Sequence, residues 1–272
     1  MNDRVLDPLR IFKNNLIHQY YEFRINSIQD PYKIKFRKKP YKILLILSHM
    51  RSGSSLLTHI LNSNPEIIGY GETHINYTSE ADFKILMLKV YSQLNGLEMK
   101  HQYILDKVLH NHKFLSCEFL GSEQVQVIFL IREPQRTLSS ILDLKPHWTE
   151  DKALDYYVSR LSKLEDYAQK INNKKRSLAI TYDQLVNHTD LVFRNLQLFL
   201  KTQAGFSENY QVLKTTGMKG IGDSSENIKT GHIIKQPRQL KSKVSSELIK
   251  KAGQPFSQCY ATLGHYCKLI SN

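Results

Sequence analysis

Ser48-His49-Met50-Arg51-Ser52-Gly53-Ser54-Ser55 gathers four hydroxyls, a glycine and a guanidinium into eight residues. The apolar run Ile43–Leu47 precedes it and a helical pattern over Ser55–Asn62 follows. A turn between a buried strand and a helix aims backbone N–H groups and the positive end of the helix dipole at an anion. Aligned on Gly53, the stretch departs from the phosphate-binding pattern GxxxxGK[ST]. Ser48 replaces the first glycine, Ser54 replaces the lysine, and Ser55 keeps the last hydroxyl. Nucleotide kinases and hydrolases need that lysine on the β/γ-phosphates and a downstream Asp for Mg²⁺. Here the strand Val125–Ile131 ends in Arg132-Glu133, a basic residue where the carboxylate would stand. The pattern therefore favours anion binding without a metal, through Arg51, Ser52, Gly53, Ser54 and Ser55. A serine-rich helix cap with no ligand has the same composition.

Arg132 is the second such residue. Pro134 suits the first turn of a helix, where its missing N–H has no partner to lose. On that helix Arg136 and Ser140 share one face, and Leu138, Ile141 and Leu142 take the other. A guanidinium at the carboxyl edge of a strand can grip a phosphate by two parallel bonds, and open α/β sheets bind ligands at that edge. A surface ion pair with Glu133 or Asp143 is the plainer role for an isolated arginine.

Arg51-Ser52-Gly53-Ser54-Ser55, followed by Leu56-Leu57, Asn64-Pro65 and Gly71-Glu72, resembles the 5′-phosphosulfate loop of sulfotransferases that use 3′-phosphoadenosine-5′-phosphosulfate (PAPS). It looks closer to the carbohydrate and bacterial branch than to the cytosolic steroid/phenol branch, which carries a lysine in this loop. Arg132 with Ser140 eight residues on resembles the family's 3′-phosphate motif. Tyr182, in Tyr182-Asp183-Gln184-Leu185-Val186, resembles the tyrosine that lies near the adenine. The segment from Gly222 to Gly231 resembles the late nucleotide loop, with Lys229, Thr230 and Gly231 as its binding residues. The likeness covers most of residues 42–235.

The resemblance implies a P-loop-like α/β fold, PAPS as donor and PAP as product. It implies in-line sulfuryl transfer to a hydroxyl, or to an amine or guanidine nitrogen, of a small acceptor such as a natural product or sugar, with no metal required. Arg51 would stabilise the leaving 5′-phosphate oxygen. The base of the carbohydrate branch is a glutamate just after the first βα unit; Glu72 stands there, with His74 as the alternative. The cytosolic branch instead places a catalytic histidine before its 3′-phosphate strand. Read as that segment, Lys113–Glu118 lacks histidine, which speaks against the cytosolic mechanism and leaves Glu118 as a second carboxylate. Acceptor-binding loops are expected at Ile75–Lys113 and Lys145–Ala153.

These residues need a scaffold that brings strand ends together. Tyr41–Leu47, Val125–Ile131 and Ser177–Tyr182 read as buried strands, with Lys113–Phe119 a weaker fourth. Helical patterns over 81–94, 134–142, 150–171 and 191–200 alternate with them. The expected fold is α/β, a mostly parallel central sheet flanked by helices, in one domain over 1–272. A helical extension over 1–40 and C-terminal helices over 236–272 bracket it. Leu9, Phe12, Leu16, Tyr20 and Phe23 recur at helical spacing, as the face by which the first helix would pack.

Lys+Arg outnumber Asp+Glu by 38 to 25, a net charge of +13 that attracts polyanions. Nucleic-acid binding would show as one basic stripe with interleaved aromatics. The most telling basic residues stand at strand ends instead, so no nucleic-acid partner is expected. The run Arg37-Lys38-Lys39-Pro40-Tyr41-Lys42 remains available to an anionic partner. No apolar run approaches the ~20 residues of a membrane span. The first residues lack the pattern of a secretory signal, and the three cysteines lack metal-ligand spacing, which points to the cytoplasm.

Overall fold

The computed structural model describes residues 8–93, 98–217, 226–236 and 238–270. Among the described residues six strands run in chain order as β1 (Lys42–Ser48), β2 (Ile67–Gly69), β3 (Tyr103–Val108), β4 (Val125–Ile131), β5 (Ser177–Thr181) and β6 (Lys268–Leu269). They form one sheet in the order β2-β3-β1-β4-β5-β6, and every neighbouring pair is parallel. The helices are α1 (Pro8–Asn26), α2 (Ser54–Asn62), α3 (Asp82–Ser92), α4 (Pro134–Leu144), α5 (Glu150–Ile171), α6 (Tyr182–Asn187), α7 (Thr189–Leu200), α8 (Glu226–Lys229) and α9 (Ser246–Tyr266).

Helices cover both faces of the sheet, which is why β1 reads as an apolar run and β4 as one interrupted only by Gln126. Ile43, Leu45 and Leu47 of β1 pack with residues of α1, α3, α5 and α9. Leu44 and Ile46 pack with residues of α2, α6 and α7 on the other side. The chain leaves β1 toward the β2 edge and leaves β4 toward the β6 edge. The crevice beyond the carboxyl ends of β1 and β4 is therefore the topological switch point, where such sheets take ligands. Local signals set the elements around it. Glu133 caps α4 by accepting the Arg136 N–H at 3.0 Å, with Pro134 in the first turn. Thr181 and Gln184 form a capping box that ends β5 and starts α6 at Tyr182.

Three expectations change. Lys113–Phe119 is not a strand; it runs between short 3₁₀ turns at Asn111–Lys113 and Glu118–Gly121. The strand is β3, whose pattern is broken by the buried charged pair Asp106 and Lys107. The C-terminal segment is one helix, α9, followed by β6 pairing with β5, rather than helices alone. In α1 Tyr21 and Ile25 are fully buried and Tyr20 and Ile17 pack beside them half-buried, while the Leu9 side chain lies outside what is described. Phe12, Leu16 and Phe23 stay 63%, 50% and 49% exposed. Of the late loop, Gly222–Ser225 lie outside the described residues.

Candidate active site

The turn after β1 is fastened from below and behind. Ser48 Oγ donates to Ser52 Oγ, and Ser52 Oγ also accepts the Ser54 N–H, so Ser52 is buried as a brace. Arg51 and Gly53 both take left-handed backbone angles, φ 63° and 93°. Gly53 is the position where that conformation is cheap, and a Cβ there would lie 2.5 Å from Tyr182 Cδ2. Ser54 opens α2, and Ser54, Ser55 and Leu56 bring the amino end of that helix to the crevice.

Three side chains of α5 hold the floor. Arg160 is almost fully buried; its Nε donates to Ser48 O at 2.8 Å and its Nη2 to Val108 O at 2.7 Å. The Tyr156 hydroxyl accepts the Met50 N–H at 2.9 Å and donates to Leu109 O at 2.9 Å. The Tyr157 hydroxyl donates to Arg132 O at 2.7 Å.

The two sequence-predicted anion sites meet in one cleft. Arg132 Nη1 donates to Arg51 O at 3.2 Å, and Arg51 Nε donates to Ser140 Oγ at 2.8 Å. The Arg132 guanidinium lies 3.8 Å from the centroid of the Tyr182 ring, whose Cδ2–Cε2 edge meets Gly53. A cavity of about 580 Å³ opens over these strand ends. Among the described residues its wall carries six Lys/Arg and one carboxylate, Glu72. Among those residues too, no acceptor reaches the buried Nε of Arg132 or of Arg136. Buried guanidinium donors without partners suit a multiply charged anionic ligand.

Glu72 is buried in this wall. Its Oε2 lies 3.4 Å from Lys107 Nζ and its Oε1 3.7 Å from His74 Nδ1. Lys107 Nζ also donates to Ser55 Oγ at 3.3 Å, so a lysine from β3 stands beside the loop that lacks one. The neighbouring Asp106 points to the opposite face, as strand alternation requires. It accepts from Thr73 N–H at 3.1 Å, Thr73 Oγ1 at 2.6 Å and the Tyr77 hydroxyl at 2.6 Å, fixing the loop that carries Glu72. Burial raises the Asp106 carboxyl above its ordinary value.

Lys107 and His110 were not legible as site residues. The histidine-free reading of Lys113–Glu118 is corrected here: the chain segment before β4 that reaches the cleft is the end of β3, and it continues to His110 in the cavity wall. The His110 imidazole stacks on His112 at 5.4 Å and 17°, and burial pushes it down to about 4, so it is neutral near pH 7. Glu118 is exposed and pairs with Lys170 at 2.8 Å, away from the cavity wall. Ser54, Ser55, His74, Ser140 and Tyr182 line the cavity. Lys229, Thr230 and Gly231 do not; Asn227, Ile228 and His232 form the wall there. Gly231 turns the chain at φ 73° and its carbonyl accepts the Tyr210 N–H at 2.8 Å.

His49 joins the two anion sites from inside. Its Nδ1–H donates to Met50 O at 2.9 Å and its Nε2 accepts the Arg132 N–H at 3.1 Å, which one neutral tautomer satisfies. Burial, helped by the Arg160 and Arg132 charges, pushes this imidazole down to about 3. Below the ordinary histidine value of about 6.5 the unfolded chain therefore takes up a proton that the native state refuses. Stability contributed by neutral His49 falls with falling pH between about 6.5 and about 3, by about 1.4 kcal/mol per pH unit. Denaturant unfolding across that window should show a slope shallower by about one proton in His49→Gln. An unchanged slope would mean that His49 is not held neutral.

No family model matches the chain, and no curated protein matches it in sequence. Among solved structures, the sulfotransferase domain from the curacin biosynthetic pathway matches with a TM-score of 0.51 at 15% identity, over 81% of this chain and 99% of that domain. The sulfotransferase domain from the Synechococcus PCC 7002 olefin synthase matches with a TM-score of 0.47 at 15% identity, over 82% of this chain and 96% of that one. Mouse sulfotransferase SULT7A1 complexed with PAP matches with a TM-score of 0.47 at 13% identity, over 92% and 90%. Spanning nearly the whole curacin domain with its parallel sheet, this chain has the sulfotransferase fold.

Proposed function

We propose that the chain transfers a sulfuryl group from PAPS to a hydroxyl, or to an amine or guanidine nitrogen, of a small acceptor. The observation that carries this reading is the single cleft in which Arg51 on the β1 loop and Arg132 at the end of β4 are hydrogen-bonded neighbours. Two anion sites at adjacent strand ends suit the two ends of one doubly phosphorylated adenosine. The orphaned, buried Nε atoms of Arg132 and Arg136 fit the 3′-phosphate end. Tyr182, Ile228 and Tyr210 in the wall fit the adenine between them.

PAPS supplies the sulfuryl group, whose sulfur is attacked by the acceptor as its bond to the 5′-phosphate oxygen breaks. The chain's own groups position and neutralise. Arg51, the N–H groups at the start of α2 and Lys107 surround the place where negative charge grows on the leaving oxygen. Glu72 takes the acceptor's proton, held by Lys107 and by the Asp106-anchored loop; His110, neutral near pH 7, is the second candidate for that role. Catalysis then rests on in-line geometry and fixed charge.

Calorimetric titration with PAP tests the reading. Wild type should bind, and Arg132→Ala should bind roughly 30- to 5,000-fold more weakly, from about 2–5 kcal/mol for a lost desolvated charge contact. Wild type that ignores PAP, or a variant that binds it equally well, would remove the proposal.

A further inference from the structure

The first helix is apolar on two opposite sides. Tyr21 and Ile25 point inward, where α1 packs on α3. Phe12, Leu16 and Phe23 fall within one narrow stripe on the outward side, about 17 Å long at 1.5 Å per residue. The loop leading to β1 extends this stripe. Arg24 Nε donates to Lys35 O at 2.6 Å, and the Lys35 N–H donates to Arg24 O at 2.8 Å, pinning loop to helix. Phe36 then stands 76% exposed, in a left-handed backbone (φ 65°) that bulky residues rarely adopt, with its ring 6.4 Å from that of Phe23. Lys35 Nζ lies 4.3 Å from the Phe23 ring centroid, and Lys38 and Lys39 are exposed just beyond.

We propose that this surface docks peripherally on an anionic lipid bilayer. Between Phe12 and Lys39, seven Lys/Arg stand against two Asp/Glu, and one of the acids, Asp30, pairs with Lys33 at 3.2 Å. An apolar ridge of Phe and Leu rimmed by cations is the arrangement that sinks into the headgroup boundary while its charges meet anionic lipid. A second copy of the chain fits less well, because a twofold interface would set two such basic patches against each other. No described helix is long and apolar enough to cross a membrane, so the contact is one of surface only. The loop enters β1 at Lys42, the amino end of the sheet, whereas the cleft lies beyond the carboxyl ends.

The test is co-sedimentation of the full chain with phosphatidylcholine vesicles, with and without phosphatidylglycerol. Binding to the anionic vesicles only, weakened by salt, is expected. The double substitution Phe23→Ser and Phe36→Ser should reduce it at least about tenfold. Both side chains are exposed, so the variant should melt with wild type and keep its PAP affinity. The proposal is overturned by absence of binding to anionic vesicles at low salt, by a double variant that binds like wild type, or by a dimer in analytical ultracentrifugation that the double variant abolishes.

Discussion

Glu72→Gln is expected to slow sulfuryl transfer by about 10²–10⁴-fold while leaving PAP affinity within about twofold. The amide keeps the volume of the side chain, and its oxygen can still accept from Lys107, which lies 3.4 Å from the carboxylate. What it loses is the capacity to take a proton. Glu72 is held by an ion pair inside a cleft whose wall is otherwise cationic, and its loop is anchored through Asp106. The substitution should therefore change chemistry and leave geometry alone. PAP release from PAPS over a panel of hydroxyl and amine acceptors measures it, with wild type defining the productive acceptor. Equal rates in wild type and Glu72→Gln, with a loss in His110→Gln, would move the base to the end of β3. A loss of PAP affinity in Glu72→Gln would mean that the loop has shifted.

The second large effect is expected at Gly53. An added Cβ meets Tyr182 Cδ2 at 2.5 Å and Cε2 at 2.8 Å, and the backbone at φ 93° disfavours any side chain. The clash falls on the edge of the Tyr182 ring, whose face carries the Arg132 guanidinium at 3.8 Å, so any shift of the ring disturbs that contact. Arg132 in turn is gripped through its N–H by His49 and through its carbonyl by Tyr157. Overpacking costs about 1–3 kcal/mol and the left-handed backbone about 1–2 kcal/mol. Gly53→Ala should thus lower the melting temperature by about 5–15 °C. PAP binding should weaken at least about tenfold, since ring and guanidinium move together. Scanning calorimetry with and without PAP reads both, and a variant that melts and binds like wild type would show that the loop yields freely.

How much of this was legible depended on whether a residue served one demand or two. β1 and β4 are buried on both faces, so their apolar runs announced them and placed Ser48–Ser55 and Arg132 at strand ends. β3 serves the fold and the cleft together: Asp106 fastens a loop on one face and Lys107 meets Glu72 on the other. Two charges in six residues hid the strand, and with it Lys107 and His110. β2 and β6, three and two residues long, are too short to carry a period. In α1 the spacings 12/16/23 and 17/21/25 are both helical and both apolar. Periodicity alone could not say which faced the core, and packing on α3 chose the second. The late loop was expected to present Lys229, Thr230 and Gly231, but the turn at Gly231 brings Ile228 and His232 to the wall instead.

Tyr156, Tyr157 and Arg160 occupy less than two turns of α5, yet together they hold the backbone at the exits of β1, β3 and β4. The cleft floor is thus a plate bolted to one rod. Because the anchoring points share one helix, the β1 loop and the end of β4 are held at a spacing set by α5. The rod begins at Glu150, inside the segment Lys145–Ala153 where an acceptor is expected. A displacement at the amino end of α5 would therefore be felt at the β1 loop and at Arg132 together.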